Sequence, residues 1–520
     1  MLRASLFALL FIATTTSGQN DGQRFQSMLK GFFKLSANYP LTPAWRSNYN
    51  QRSVIYRMKD RTEYSANHKI LNDVFESDMV LTPYQMEDVI DTFRARVEGR
   101  PKRVKRNAAA VNEKLRWPNR TIPFEFKDRK DGKWVTLLMS GMEKWSRETC
   151  IKFVPHSNER DFVTFFRGGG CYSNVGRTGG KQYISIGFGC DGSGIVAHEL
   201  GHAIGFWHEQ SRPDRDEYIN LNNDNIIKGT YGNFEKRTDL DTADVPYDFG
   251  SVMHYGPQAF TNNWNYVTIE TKDHRFQHTI GQRADISFID VKHANRLYCS
   301  GICQVNLHCL NGGYEDPLNC QTCKCPPGLG GQRCGHVAVS TAGCGGELIA
   351  GATWNLLTSR QIGTCHWRIL APLGQKIRFE IIEAKYKCDS SCAENYLEIK
   401  HQRDMQQTGF RQCCNAAPGV IVSEGNQVII TSVAKDKQPN FSIRYILEQA
   451  YLPKPPVANW EGQGGLTGLL GQEAGIDNTF ENYLVKELPT VLRATGPRAD
   501  IGSFFNLVDS LLRAGSGKKK

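Results

Sequence analysis

The sequence predicts an α+β body, then a small disulfide-stapled module, then an all-β sandwich. Residues 107 to 299 mix short apolar strands with a long apolar helix. Six cysteines crowd into the 32 residues from Cys303 to Cys334. From 344 to about 447 apolar and polar residues alternate over several short runs. The chain has 520 residues, room for three or four domains of roughly 150 residues each.

Composition is that of a globular protein, 40% hydrophobic and 22% charged, which is enough to build packed cores. The net charge of +10 is spread along the chain and includes a basic stretch near residue 106 and a lysine tail. No basic helix with base-reading residues stands out, so nucleic acid is excluded as a partner.

Residues 1–18 read as a signal peptide: Arg3, the apolar run Leu6 to Ala13, then the small residues Thr16, Ser17 and Gly18. The run is too short to span a bilayer, and no later run of about 18 apolar residues exists, so a secreted, extracellular protein without a transmembrane segment is expected. All 16 cysteines lie between Cys150 and Cys414. An even number in a secreted chain implies disulfides. Asn119 and Asn440 stand in Asn-x-Ser/Thr sequons and are candidate glycosylation sites.

Residues 19–106 hold no cysteine and end in Arg100-Pro-Lys-Arg-Val-Lys-Arg106. They read as a removable propeptide, cut after Arg106 by an activating protease to leave Asn107 as the new terminus. The plain alternative is a solvated basic linker. Within this segment Thr82, Pro83 and Gln85 mark a helix start, with Thr82 as N-cap and Gln85 at the reciprocal position, and the helix runs to about Glu98. In the α+β body, Val163 to Phe166 and Tyr183 to Ile186 read as strands and Ser193 to Phe206 as a helix. The clusters Gly168 to Gly170 and Gly179-Gly180 read as turns.

Residues 300–335 are too few for a hydrophobic core and must be stapled. Their six cysteines alone allow 15 pairings. In the sandwich region, 344–447, the alternating runs are Lys376 to Ile382, Asn395 to Ile399, Val428 to Thr431 and Ser442 to Ile446. Residues 448–520 form a tail in which Phe504, Val508, Leu511 and Leu512 share one helical face ahead of three lysines. It reads either as a basic amphipathic end that touches membranes or anionic matrix, or as a mobile tail with one frayed helix.

The densest chemistry is His198-Glu-Leu-Gly-His202-Ala-Ile-Gly205-Phe-Trp-His208. His198 and His202 are four residues apart, so on a helix both imidazoles project from one face and can share one zinc ion. Glu199 then points beside the metal. Gly205 takes backbone angles that other residues resist, ends the helix, and lets the chain bring His208 back as third ligand. Three protein ligands leave a coordination position open, which marks a catalytic rather than a structural site. One Zn2+ per domain would lower the pKa of a bound water to about 7, and Glu199 would take its proton and pass it to the leaving amine. The motif thus predicts peptide hydrolysis without a covalent intermediate. A lone His-Glu-x-x-His pair is more often a surface or capped-helix feature; the extension to Gly205 and His208 makes that reading rare.

Ser251-Val-Met253-His-Tyr255 places Met253 45 residues after His208. This resembles the Met-turn of the metzincins. The continuation Glu209-Gln-Ser-Arg212-Pro-Asp214-Arg215-Asp216, the run Cys171-Tyr-Ser-Asn-Val-Gly-Arg177, Tyr247-Asp248 and Tyr298-Cys299 resemble the astacin family, and nematode astacins in particular. The resemblance covers 107–299 and implies an α+β metzincin fold with a cleft between two subdomains. It implies Cys150–Cys299 and Cys171–Cys190 bonds and a floor of Met253 under the histidines. Tyr255 would be a further zinc ligand that swings away to stabilise the oxyanion. Glu209 would sit near the buried new N-terminus.

Phe75-Glu-Ser-Asp78-Met-Val-Leu81 resembles the family's pro-segment motif, whose Asp binds zinc in the zymogen; here Ser77 replaces the usual Gly. Arg283 lies where some relatives place a charge that selects an acidic residue after the cut bond. The plain alternative is a surface ion pair.

Residues 300–335 resemble an EGF-like module, which implies Cys303–Cys320, Cys309–Cys323 and Cys325–Cys334. Cys344-Gly-Gly, Cys365-His-Trp367 and Asn395-Tyr-Leu-Glu-Ile-Lys400 resemble a CUB domain, which implies Cys344–Cys365. The pairing of Cys388, Cys392, Cys413 and Cys414 stays open. The family's calcium ligands are not matched, because Asn395 and Ser432-Val433 stand at those positions. The expected partners are extracellular protein substrates, among them collagen-like or cuticle matrix. The rivals are a digestive protease, a dead matrix-binding scaffold and a structural zinc protein. The intact His198, Glu199, His202 and His208 argue against the last two.

Overall fold

A computed structural model describes residues 21–39, 61–100 and 114–451, apart from 239 and 416. The expected signal peptide, the Arg106–Asn107 bond and the tail helix lie outside the described residues.

The α+β body is built on a six-stranded sheet. Its order is Met79–Val80, Cys171–Asn174, Lys181–Ile186, Phe162–Phe166, Thr121–Phe126 and Lys152–Pro155. All neighbours are parallel except Cys171–Asn174 against Lys181–Ile186. The edge strand Met79–Val80 comes from the N-terminal segment, so that segment is woven into the sheet rather than laid on it.

Helix Gly132–Glu148 buries Trp134, Leu138, Met142 and Trp145. Helix Ser193–Ile204 is buried at every position after Ser193, the mark of a helix enclosed on all sides. The two cross at Gly141, where an added Cβ would lie 2.4 Å from Val196 Cγ1. The second helix stops two residues earlier than the sequence suggests, because Gly205 adopts φ 123° and turns the chain.

Two apolar cores flank this helix. One joins the sheet to both helices through Leu138, Trp145, Phe165, Ile184, Leu200 and Met253. The other holds Ile219, Phe234, Tyr247, Tyr255, Phe260 and Phe276 below it. Helix Phe288–Tyr298, started by a capping box of Ser287 and Asp290, closes the body, and Cys299 is bonded to Cys150.

The N-terminal segment has its own core. A helix over residues 21–36 sets Phe25, Leu29 and Phe32, each at most 1% exposed, against Phe75, Met86 and Phe93. Burial of such side chains stabilises by about 1.5–3 kcal/mol each. Helix Pro83–Val97 carries the expected capping box: Thr82 Oγ1 accepts from Gln85 N at 3.2 Å, and Gln85 Oε1 accepts from Thr82 N at 2.9 Å.

After Cys299 come two short β pairs held by three disulfides, then a sandwich of a five-stranded and a four-stranded sheet. Burial alternates along Ile377–Lys385, as a sandwich strand requires. The disulfides among the described residues are Cys150–Cys299, Cys171–Cys190, Cys303–Cys320, Cys309–Cys323, Cys325–Cys334, Cys344–Cys365, Cys388–Cys414 and Cys392–Cys413. Among the described residues no helix is long and apolar enough to cross a membrane.

Gly141→Val should cost about 1–3 kcal/mol by overpacking the helix crossing, read as a lowered thermal midpoint. An unchanged midpoint would mean that the helices do not approach so closely.

Candidate metal centre

The helix and its terminating turn converge three imidazoles. Ring centroids of His198 and His202 are 4.7 Å apart, and His208 lies 5.3 and 4.8 Å from them. Gly205 makes this possible: its left-handed backbone lets its own N–H reach His202 O at 2.8 Å and that of Phe206 reach Gly201 O at 2.9 Å. Met253 packs against Gly201, where an added Cβ would lie 2.6 Å from its sulfur.

Each Nδ1 is spent elsewhere. That of His198 meets Val252 O at 2.8 Å, that of His202 meets Phe206 O at 2.8 Å, and that of His208 meets Glu76 Oε2 at 2.7 Å. With the proton on Nδ1, each Nε2 presents a lone pair. The three Nε2 atoms surround the carboxylate of Asp78 at 3.2, 3.4 and 3.2 Å. All four ligand atoms lie within 4.8 Å of one another and all four residues are buried. His202 Nε2 and Asp78 Oδ1 are buried without a hydrogen-bond partner. Orphaned lone pairs in this set of three imidazoles and one carboxylate fit a zinc ion.

Asp78 is delivered by a strained turn. Phe75 and Met79 exchange two backbone hydrogen bonds, at 2.8 and 2.9 Å, and between them Glu76 and Ser77 take φ 44° and 70°. Left-handed non-glycine residues cost about 1–2 kcal/mol each. The family's Gly at position 77 matches this backbone, and Ser77 occupies it here at that cost. The body holds the turn in place: Asn233 Oδ1 accepts Glu76 N, Ser211 Oγ donates to the Glu76 carboxylate, and Tyr255 OH donates to Glu76 O at 2.6 Å. Asn67 Nδ2 donates to Ser77 O at 2.8 Å.

Burial would raise the Asp78 carboxyl, but the His208 imidazole beside it, with the other two histidines around it, holds it well below the usual range. Glu199 is fully enclosed, with neither carboxylate oxygen hydrogen-bonded. Burial, and then the charges of Asp78 and Glu63, push it well above the ordinary carboxylate value. Burial likewise raises the Tyr255 phenol well above its usual value. The Tyr255 ring lies tilted against His208, centroids 4.6 Å apart.

Arg283 is not a surface residue in this state. Its Nε and Nη2 each donate at 2.6 Å to the two carboxylate oxygens of Glu63, and the pair is almost fully buried. Glu209 accepts Asp248 N at 2.9 Å and lies 3.4 Å from Arg212. Burial, partly offset by Arg212, raises its carboxyl to about 8. It lines a cavity of about 210 Å³ together with Arg212, Asp290 and His293. Asn119 is exposed, whereas Asn440 is half-buried and bonded to Arg360 and Glu383.

Glu63, Glu76 and Ser211 are absent from the sequence-based assignment. Glu76 had one available signal, its place inside the pro-segment motif. The contacts of Glu63 and Ser211 span 220 and 135 residues, and no local pattern announces them.

A family model described as Astacin, a peptidase family, matches residues 109–299, and a CUB domain model matches residues 357–445. The chain is 45% identical over 460 residues to Zinc metalloproteinase nas-30 of Caenorhabditis elegans, covering 86% of this chain and 60% of that protein. It is 35% identical over 410 residues to Zinc metalloproteinase nas-36 of Brugia malayi, covering 72% of this chain and 70% of that protein. The solved structure of high choriolytic enzyme 1, a hatching enzyme zinc-protease of Oryzias latipes, is 40% identical over 35% of this chain and 92% of its own, with a TM-score of 0.34. The chain spans 60% of nas-30 and 48% of Zinc metalloproteinase nas-37 of Caenorhabditis elegans, about half to three-fifths of their lengths. With the Astacin model lying over the histidine cluster, and 35% identity to a relative of which it covers 70%, this chain belongs to the astacin family of zinc metalloproteinases.

Proposed function

We propose that the chain is a secreted zinc endopeptidase of extracellular proteins, made as a latent zymogen. The observation that carries this reading is the convergence of three Nε2 lone pairs on the carboxylate of Asp78. His198, His202 and His208 would hold one zinc, with Asp78 as a fourth ligand while the N-terminal segment is present. Zinc there supplies Lewis acidity toward the scissile carbonyl and the attacking water.

The chain's own groups do the rest. Glu199, enclosed beside the histidines with neither carboxylate oxygen hydrogen-bonded, accepts the proton of the attacking water and returns it to the leaving amine. Tyr255, released from the Glu76 carbonyl when the segment leaves, donates its phenol proton toward the developing oxyanion. Cleavage after Arg106 frees Asn107, and the cavity beside Glu209 offers space for the new terminus.

Arg283 supports an acidic preference at the residue after the cut bond. It already grips one carboxylate, that of Glu63, in the two-pronged manner it would use on substrate. Eight disulfides and a CUB domain fit an extracellular protein. Residues 1–18 would direct secretion. The modules after Cys299, the first read as EGF-like, favour a matrix or cuticle substrate over bulk digestion.

Elemental analysis of the purified chain should find one zinc per molecule, and Glu199→Ala should keep that zinc while losing at least about a thousandfold of casein or gelatin hydrolysis. Retained chelator-sensitive activity in Glu199→Ala would defeat the assigned proton transfer. Asp78→Ala should give a precursor that is active without processing or secreted in poor yield; a fully latent, well-secreted variant would sink the latch. Peptide-library profiling should show Asp or Glu after the cut bond, lost by about tenfold or more in Arg283→Ala. An apolar preference in the unsubstituted enzyme would remove Arg283 from substrate recognition.

A further inference from the structure

The CUB domain does not hang free from the α+β body. Its loop and strand over residues 406–412 lie against the chain that leads into the Met-turn. Thr408 donates twice to the buried Asp248 carboxylate, from its backbone N–H to Oδ1 at 2.9 Å and from Oγ to Oδ2 at 3.2 Å. Gln407 Nε2 donates to Tyr247 O at 2.7 Å, and Arg411 N to Thr279 Oγ at 3.0 Å. Phe410 is fully buried, edge-on to Phe276 at 6.1 Å and under the Arg275 guanidinium at 5.7 Å. The lower core of the α+β body therefore runs without a break into the sandwich, from Tyr247, Phe249 and Phe276 to Phe410, Ile399 and Ile430. Gly250 leaves no slack: an added Cβ would lie 2.3 Å from Thr408 Oγ.

Asp248 looks both ways. Its carboxylate is satisfied by Thr408 and by Gly250 N at 3.3 Å. Its own N–H donates to Glu209 Oε1 at 2.9 Å, and Glu209 directly follows His208. Its carbonyl accepts Ser251 N at 3.1 Å, the first residue of the Met-turn. Glu209 N in turn donates to Met253 O at 3.1 Å. Tyr247 OH bonds His254 Nε2 at 2.7 Å, and His254 Nδ1 meets Tyr255 O at 2.8 Å. A buried carboxylate holds one position only while its donors do, so the two Thr408 donors set where this loop sits against the metal centre.

We propose that Thr408 of the CUB domain is a positioning residue for the peptidase site, acting through Asp248 on Glu209 and on the Met253–Tyr255 turn. This rests on the peptidase reading above. It makes the sandwich part of the turnover apparatus rather than only a substrate-capturing appendage.

The test uses the full chain after removal of the N-terminal segment, assayed on a short fluorogenic peptide and normalised to bound zinc. Thr408→Val removes the hydroxyl at nearly constant volume; Thr408→Ser keeps it. The expected result is about a tenfold loss of kcat in Thr408→Val with KM within about twofold, and rescue to within about twofold in Thr408→Ser. Amide exchange at Asp248 and Gly250 should quicken in Thr408→Val alone. A wild-type kcat in Thr408→Val would overturn the inference. So would a lowered thermal midpoint in both variants with kcat per zinc unchanged, since that describes stability alone. An inactive unsubstituted chain would instead sink the peptidase reading and this inference with it, so the two failures are told apart by the unsubstituted control.

Discussion

Three imidazoles can face one point only if each Nδ1 has an acceptor behind it, and much of the fold is arranged around that requirement. The acceptors come from distant stretches of chain. Val252 supplies a carbonyl from the Met-turn, Phe206 supplies one from the turn that ends the helix, and Glu76 brings a carboxylate from the N-terminal segment. The buried helix shares one apolar core with Trp145, Leu138 and Met253. Two acceptors belong to the astacin body itself, and the third comes from the N-terminal segment.

The same segment carries the backbone strain. Glu76 and Ser77 both sit in the left-handed region, and the turn survives because Asn233, Ser211, Tyr255 and Asn67 all bond to it. Its neighbours spread the anchoring widely. Met79–Val80 extends the sheet, Glu63 meets Arg283, and Phe25, Leu29 and Phe32 close a separate core. Strain at one residue pair is thus offset by burial and hydrogen bonds made elsewhere along the segment.

Downstream modules pack against the α+β body. Lys292 on the closing helix donates to Gly312 O at 2.8 Å in the small disulfide unit, and Lys324 of that unit meets Glu148 at 2.8 Å. The sandwich meets the Tyr247–Gly250 chain directly. Contacts of this density make the appended domains part of one folded body between residues 61 and 451, within the described residues.

The three clustered histidines, the glycine that turns the chain, the Met-turn and the alternating sandwich strands were legible because each is a short-range pattern. Helical period, backbone permissiveness at Gly205 and strand alternation are written within a dozen residues. The family resemblance added the placement of Asp78 and Arg283. What no local pattern carries is pairing across long separations. That Glu63 would reach Arg283, that Glu76 would back His208, that Cys388 would bond Cys414 rather than Cys413, and that Thr408 would bond Asp248 were decided only when the chain folded. Sequence alone therefore determined which groups can bind a metal ion. Tertiary structure decided which of them are buried together, because burial and hydrogen-bond satisfaction depend on all the neighbours at once.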